Sequence, residues 1–346
     1  MTHPTRLALD ALRSTTGALV VATAVALIVG ALLILAVGVD PFDAHRTIWE
    51  GSVGSRDALA QTSLRVAPLL VMALGLVPAL RAGIFTIGSE GQFGVGALVA
   101  ALTALAVAPH VPAVVSIPAA AVAGAGAGMS WALIPALLRA YLQVDEILTT
   151  FAFNFIAIFL LLWLLNGPAR GEGQFLVQTS PIPESDWLRT LGGTAANIGL
   201  LVLPVLIVVM VVFGRTPAGY RVRLLGSQPS LAIAAGSRPQ RVVLVTMLVA
   251  GAAAGIAGWI QVAGLDRAVF TTVFRGYGYL ALALVALGRG KVLPTVVGAV
   301  LFAALQNGSE AMQLGLGVSS EFVFVMQGVI LYLMAFRLVG GTERAV

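Results

Sequence analysis

The stretch GRTPAGYRVRLLGSQPSLAIAAGSRPQR, residues 214–241, separates two long apolar runs of the chain. It contains no Asp or Glu and five arginines: Arg215, Arg221, Arg223, Arg238 and Arg241. In a chain in which only 10% of the residues are charged, a connecting loop with a single sign of positive charge indicates the side of a membrane that faces the cytoplasm. We also expect this loop to bind a partner protein.

The composition predicts a membrane protein, because 59% of the 346 residues are apolar and several uncharged runs approach about twenty residues. The formal charge of +5 comes from scattered arginines, with Lys291 the only lysine, which favours anchors beside membrane spans over nucleic-acid binding. The absence of cysteine excludes disulfides and thiolate metal sites. The three histidines lie outside the apolar runs, at His3, His45 and His110. Their spacing is not that of metal ligands, so we predict no metal site.

Ten apolar segments predict an all-α polytopic membrane protein with about ten transmembrane helices. The segments are residues 15–39, 64–80, 93–108, 113–135, 147–165, 195–213, 242–263, 279–287, 292–305 and 322–338. The first is too long for the core of a signal peptide, so we interpret it as an uncleaved helix. The interiors of the segments contain no Asp, Glu, Lys, Arg or His, which argues against proton coupling and leaves a sodium-coupled carrier open.

Charges between the segments predict the orientation of the chain. With a cytoplasmic N-terminus, one side of the membrane carries the loop 214–241 and these basic residues: Arg6, Arg13, Arg81, Arg139, Arg289, Lys291 and Arg344. The segments on the other side are mixed or acidic. The positive-inside rule then places both termini in the cytoplasm.

The third and eighth segments are short for a bilayer of about 30 Å. Each follows a glycine-containing stretch, RAGIFTIGSEGQ at residues 81–92 and FTTVFRGYG at residues 270–278. An offset of five spans reverses direction across the membrane, so residues 64–165 and 242–338 are candidate inverted repeats, each with one interrupted helix. Paired interruptions predict a solute pathway near the membrane midplane. The alternative, in which the glycines only form loops or tight helix contacts, stays open.

Two further glycine patterns, GAGAG at residues 124–128 and GAAAG at residues 251–255, lie inside apolar segments. Without a preceding strand they predict packing faces of small residues and not a dinucleotide site. Lys291 follows Gly290 but lacks the other residues of a phosphate loop. We therefore predict no ATP site and no catalytic residues in this chain.

Polar and aromatic residues at the interruptions and inside the helices are the candidates for lining the pathway: Phe85, Glu90, Gln92, Asn154, Phe270, Tyr277 and Gln306. Amides in a bilayer more commonly tie helices together, and aromatic side chains commonly pack or anchor at interfaces. Both alternatives stay open.

The centre of the arginine loop, PSLAIAAG at residues 229–236, predicts a short helix bounded by Pro229 and Gly236. A short helix of small residues between arginines suits a groove on another protein. An anchor at lipid headgroups is the alternative.

The stretch RAGIFTIGSEGQ at residues 81–92 resembles the signature of permease subunits of bacterial ABC importers for nucleosides and simple sugars, which are related to ribose and branched-chain amino-acid permeases. Further segments resemble the same family: EILTTFAFN at 146–154, NGP at 166–168, GYG at 276–278 and ALGR at 286–289. The similarity runs from about Leu64 to the C-terminus.

The resemblance implies a single permease domain over residues 1–346, with ten helices in inverted repeats and a cytoplasmic coupling loop at residues 214–241. It also implies that residues 226–236 hold a coupling helix that docks on an ATPase subunit. The chain has Gln228 and Ser230 where family members usually have Asn and Glu. The expected coupling residues are Gln228, Pro229, Leu231, Ala234, Ala235, Gly236 and Arg238.

From the resemblance we expect a multi-pass permease subunit in a bacterial cytoplasmic membrane, with nucleosides as the preferred cargo and simple sugars second. The chain would hold no cofactor, since ATP and Mg²⁺ would be bound by two ABC ATPase domains. A second permease, identical or paralogous, an extracytoplasmic substrate-binding protein and membrane lipid are the other expected partners, without nucleic acid. A stand-alone ion-coupled secondary transporter and a non-transporting membrane scaffold are the alternative functions.

Overall fold

A computed structural model describes residues 15–342 of the chain, and the side chains of residues 23–333. The described part of the chain is helical and contains no β-sheet, which confirms the all-α prediction. Its thirteen α-helices are α1 Thr15–Ala36, α2 Pro41–Val53, α3 Arg56–Arg81, α4 Ser89–Val107, α5 Ala113–Leu142, α6 Glu146–Asn166, α7 Val202–Phe213, α8 Pro217–Ser227, α9 Pro229–Ala234, α10 Pro239–Gln261, α11 Tyr277–Leu287, α12 Val292–Leu316 and α13 Glu321–Thr342. The terminal charges used above to orient the chain, Arg6, Arg13 and Arg344, and also His3, lie outside the described residues.

Six helices in residues 15–342 are long and apolar enough to cross a membrane: α3, α4, α5, α6, α12 and α10 with its extension to Asp266. A seventh candidate is the pair Ile198–Phe213 and Pro217–Ser227, which is bent by 71°. Three other apolar helical stretches are shorter, in α1, α11 and α13. Each predicted segment overlaps one of these helices, whereas the count of ten crossings and the inverted repeats stay predictions.

Several helices extend beyond the predicted segments into polar sequence. Helix α3 begins at Arg56, α4 begins at Ser89, and α12 continues to Leu316. Hydropathy changes at the first charged residue, but the backbone hydrogen bonds of a helix continue through it. Glu90 therefore lies in the first turn of α4, before the predicted segment 93–108, and Arg65 lies within α3.

The chain divides into two compact units, of which the larger comprises Val66–Val292. In this unit α4, α5 and α10 pack through glycines. A Cβ on Gly255 would lie 2.8 Å from the carbonyl carbon of Gly124, and a Cβ on Gly128 would lie 2.9 Å from the amide nitrogen of Gly255. Only glycine permits such close approach of two helix backbones, so the predicted packing faces are confirmed.

The other unit comprises Met1–Arg65 and Leu293–Val346. Here Arg65 donates to Glu310 at 2.5 Å and to Asn307 at 3.1 Å, which joins the start of α3 to α12. The amide nitrogen of Asn307 donates in turn to the carbonyl oxygen of Gly51 at 2.8 Å and to the hydroxyl of Thr62 at 3.1 Å. Polar side chains within these helices therefore find partners on neighbouring helices, as buried polar groups require.

Candidate functional site

In the larger unit, each predicted interruption contains a non-helical stretch, although residues 89–92 and 277–278 are already helical. Helix α3 ends at Arg81, the chain turns at Gly83 with φ of +78°, and α4 begins only at Ser89. The second interruption follows Asp266, and α11 begins at Tyr277. Backbone N–H groups in such stretches have no helical partners, so side chains must satisfy those that are buried.

A polar face of α6 supplies partners for the first interruption. Its side chains lie four residues apart and therefore on one side of the helix, at Glu146, Thr150 and Asn154. Their oxygens accept hydrogen bonds, at 3.2, 3.1 and 2.9 Å respectively, from the backbone N–H groups of Phe85, Ile87 and Gly91. The face thus holds the second half of the irregular segment and the first turn of α4.

Glu90 connects the first interruption to the second. Its carboxylate oxygens accept hydrogen bonds from the backbone N–H groups of Gly276 at 2.7 Å and Gly278 at 2.6 Å, while only 1% of the residue is exposed. These N–H groups belong to the first turn of α11, where the helix dipole favours a negative group. A carboxylate in the first turn of α4 therefore holds the start of α11.

The starts of α4 and α11 are in direct backbone contact. A Cβ on Gly278 would lie 2.8 Å from the Cα of Glu90, so this position has room only for glycine. The rings of Phe93 and Tyr277 pack edge to face with centroids 6.2 Å apart. The ring of Phe274 packs against Gly94. The tertiary structure thus brings together two segments that lie about 190 residues apart in sequence.

Asn154 links helix α6 to the first interruption and to α11. Its amide nitrogen donates to the carbonyl oxygen of Ile87 at 3.0 Å and to the hydroxyl of Tyr279 at 3.2 Å, in addition to the bond that its oxygen accepts. We call the set formed by Glu90, Asn154, Tyr279 and the backbone of Gly276 and Gly278 the polar joint. The hydrogen bonds of Asn154 are those of a helix tie, and its role in lining a pathway stays a prediction.

The other pathway candidates differ in their surroundings. Gln92 is buried, and its Oε1 has no hydrogen-bond partner in the described structure. The side chain of Phe85 is 46% exposed, and Phe270 is half-buried beside an isolated β-bridge to Gln178. Gln306 is half-buried in α12, which lies mostly in the other unit. Five of the seven candidates therefore belong to the polar joint or to segments that adjoin it: Phe85, Glu90, Gln92, Asn154 and Tyr277.

Sequence reasoning missed the roles of Glu146, Thr150 and Tyr279. The spacing of four between the polar residues at 146, 150 and 154 is a visible signal, since it marks one face of a helix. The partners of that face are backbone groups, and these leave no trace in the sequence.

The arginine loop contains more structure than its sequence predicts. The short helix α9, Pro229–Ala234, is confirmed, and Gly236 ends it with φ of +78°. Helix α8, Pro217–Ser227, precedes it and was not predicted. Thr216 caps α8 by accepting a hydrogen bond from the N–H of Gly219 at 3.1 Å, and a proline occupies the first turn of each helix. We refer to residues 214–241 as the docking loop, after the expectation that they dock on a partner protein.

The docking loop is attached through one face and exposed on the other. Val222 of α8 is buried in a cluster whose other members are Ala79, Ala82, Ile84, Ala136 and Met247. In α9 only Ala232 is buried, while Leu231 is 50% and Ile233 is 57% exposed. The seven expected coupling residues are all exposed: Gln228, Pro229, Leu231, Ala234, Ala235, Gly236 and Arg238.

The docking loop also contacts the first interruption directly. A Cβ on Gly226, at the end of α8, would lie 2.9 Å from the carbonyl carbon of Ala82. A Cβ on Gly83 would lie 3.5 Å from the Cα of Gly226. Backbone contacts therefore lead from α8 into the segment that carries Glu90.

Comparison with known proteins gives consistent matches over most of the chain. The family profile described as "Branched-chain amino acid transport system / permease component" matches residues 58–335. The glucose ABC transporter permease protein of Haloferax volcanii is 33% identical over 322 residues, which cover 89% of this chain and 84% of that protein. No solved structure gives a significant match.

Two further relatives have nucleoside-related names. The nucleoside ABC transporter permease protein of Lactococcus lactis subsp. cremoris is 26% identical over 323 residues, covering 90% of this chain and 88% of that protein. The guanosine ABC transporter permease protein of Bacillus subtilis is 27% identical over 323 residues, covering 91% of each.

Proposed function

Because this chain belongs to the family of branched-chain amino acid transport system permease components, we propose that it is the membrane subunit of an ATP-driven importer for nucleosides. Simple sugars are the second candidate cargo, and the 33% identity to a glucose permease keeps them open. The chain is a transport subunit, and ATP with Mg²⁺ would be bound by two separate ABC ATPase domains. A second permease, identical or paralogous, and an extracytoplasmic binding protein complete the proposed complex in the cytoplasmic membrane.

The observation that carries the proposal is the placement of the docking loop. Helix α9 exposes the apolar side chains of Leu231 and Ile233, which are therefore available for contact with a partner. Arginines of the same loop surround them without any acidic residue. An acidic groove with an apolar floor on an ATPase subunit would complement this surface in charge and shape.

Force applied at α9 has a short route to the polar joint. It passes through α8 to the backbone at Ala82 and Gly83, then along the segment held by α6, and then through Glu90 to the start of α11. Packed backbone contacts and charge-assisted hydrogen bonds move as a unit more readily than mobile side chains do. In our proposal, ATP binding at the partner moves α9, and the polar joint conveys that movement to the two interrupted helices.

Reconstitution into proteoliposomes tests the proposal. The chain is co-purified with the ATPase and binding proteins encoded near it, and uptake of labelled uridine, adenosine, ribose and glucose is measured with ATP inside or outside the vesicles. We expect uptake only when ATP is on the side of the docking loop. Uptake without any ATPase but with an ion gradient would replace the proposal by a secondary carrier. The absence of any solute-dependent signal would favour a membrane scaffold.

A further inference from the structure

A cavity of about 630 Å³ lies beside the end of α3, the junction of α7 and α8, and the turn that follows α11. Five cationic residues line it: Arg81, Arg215, Arg223, Arg289 and Lys291. No Asp or Glu is among its lining residues in the described part of the chain. The arginines that line one cavity share a single sign of charge, so an anion that enters the cavity is attracted by several of them at once.

Arg81 provides a fixed hydrogen-bond donor in this cavity. Its Nε donates to the carbonyl oxygen of Gly290 at 2.8 Å, which orients the guanidinium group. The backbone of Gly214 packs against the same group, since a Cβ there would lie 3.1 Å from Nη1. Nη1 is buried and has no hydrogen-bond partner among the described residues. A buried donor of this kind gains most from an oxygen acceptor brought by a ligand.

Two other arginines are held toward the cavity by the backbone. Nη1 of Arg223 donates to the carbonyl oxygen of Gly214 at 2.5 Å. Arg289 adopts a left-handed conformation, with φ of +51°, in the turn after α11. Non-glycine residues in this conformation are uncommon and strained, and they occur preferentially at ligand sites.

One wall of the cavity is apolar. Met210 and Val211, at the end of α7, and Val292, at the start of α12, contribute to its lining, although Met210 and Val292 are already buried by the protein. Val211 is 41% exposed on a helix that forms part of a candidate membrane span. A soluble anion such as phosphate has no group that would cover the exposed side chain of Val211. A phospholipid has both a phosphate for the cations and an apolar body for the wall.

We propose that this cavity is a binding site for the phosphate group of an anionic phospholipid. The lipid would join the end of α3, the start of the docking loop and the turn after α11, and it would offset the repulsion among the five cations. Because Gly226 and Ser227 also line the cavity, the bound phosphate would fix the end of α8 immediately before the docking helix α9. The inference depends on neither the transported solute nor the ATPase.

The test compares two double variants of the full-length chain that lose the same charge. Arg215→Gln with Arg289→Gln removes two cavity arginines, whereas Arg238→Gln with Arg241→Gln removes two arginines of the docking loop that do not line the cavity. Phosphatidylglycerol, phosphatidylcholine or inorganic phosphate is titrated into the detergent-purified protein. Bound molecules are counted by native mass spectrometry, and the thermal midpoint is recorded.

We expect one phosphatidylglycerol to be retained by the unchanged chain and to raise its thermal midpoint, with little effect of phosphatidylcholine. The affinity of the cavity variant for phosphatidylglycerol should fall on the order of 30-fold, because each arginine near a lipid phosphate contributes to binding. The loop variant should bind almost as the unchanged chain does.

Three results would overturn the proposal. Equal losses in both variants would show general attraction to basic charge. A shift of equal size with inorganic phosphate would identify a free anion as the ligand and exclude the lipid. If phosphatidylglycerol neither binds to the unchanged chain nor raises its thermal midpoint, the cavity is not a site for a lipid phosphate.

Discussion

The polar joint and the docking loop use their polar groups in opposite ways. In the joint, Glu90 and Asn154 are each 1% exposed, and every hydrogen bond described for them has its partner within the larger unit. In the docking loop all five arginines are exposed, and the helix between them presents apolar side chains to solvent. The joint is complete within this chain, whereas we propose that the loop binds a second molecule.

Because of this contrast, substitutions in the joint should change the stability of the chain, and substitutions in the loop should change its assembly with a partner. A change in the joint leaves buried donors or acceptors without partners, so it should lower the free energy of unfolding. A change on the exposed face of the loop leaves no buried polar group without a partner, so it should affect only the binding of another molecule to the loop. Four substitutions test this separation, in order of decreasing expected effect on stability.

Glu90→Ala should destabilise the chain most. It removes the acceptor of two buried backbone N–H groups, those of Gly276 and Gly278, and we expect a loss of about 4 kcal/mol. Thermal unfolding of the purified protein in nanodiscs measures the loss. Glu172→Ala, at an exposed glutamate, is the control and should leave the midpoint unchanged. A midpoint for Glu90→Ala equal to that of the control would contradict the buried joint.

Gly278→Ala should cost about 2 kcal/mol, because the added methyl group would overlap the backbone at Glu90 and force α4 and α11 apart. The matched control is Gly126→Ala, where a Cβ would meet no atom within 4 Å. The same unfolding assay distinguishes them. Equal midpoints for the two variants would mean that the two helix starts are not in contact.

Tyr279→Phe should have a smaller effect, about 1 kcal/mol, because it removes one hydrogen bond from Asn154 and keeps the ring. Tyr220→Phe makes the same chemical change in the docking loop, on a side chain that is 57% exposed. Its midpoint should not change. If Tyr220→Phe destabilises as much as Tyr279→Phe does, the proposed difference between the two regions is lost.

Ala234→Asp with Ala235→Asp should leave the free energy of unfolding within about 0.5 kcal/mol, since both side chains are exposed. It should nevertheless abolish co-purification with the ATPase and uptake, because two charges would enter the docking surface. Ser230→Asp adds a charge in the first turn of the same helix, where the helix dipole favours it, and should retain assembly. Normal uptake by the double variant would remove the coupling role from α9.

The sequence predicted the helices and their interruptions better than it predicted the contacts between them. The two interruptions, the glycine packing faces and the helix at Pro229 follow from local signals: glycine, proline and hydropathy. The boundaries of α3, α4 and α12 could not be predicted from local signals. Hydropathy falls at residues such as Glu90, but the helical hydrogen bonds continue through them. Helix α8 was missed because its arginines made the segment look like a loop, whereas its buried contacts come from only three residues: Gly219, Val222 and Leu225.

The sequence by itself determined that this chain is a helical membrane protein, where its helices are interrupted, and which loop carries the positive charge. Those properties depend on composition and on neighbours within a few residues. Only the tertiary structure decided that Glu90 binds the backbone of Gly276 and Gly278, and that Arg81 lies in a cavity with Arg289. The reason is physical: the partners are backbone groups and distant side chains, and only the packing of the helices brings them within hydrogen-bonding distance.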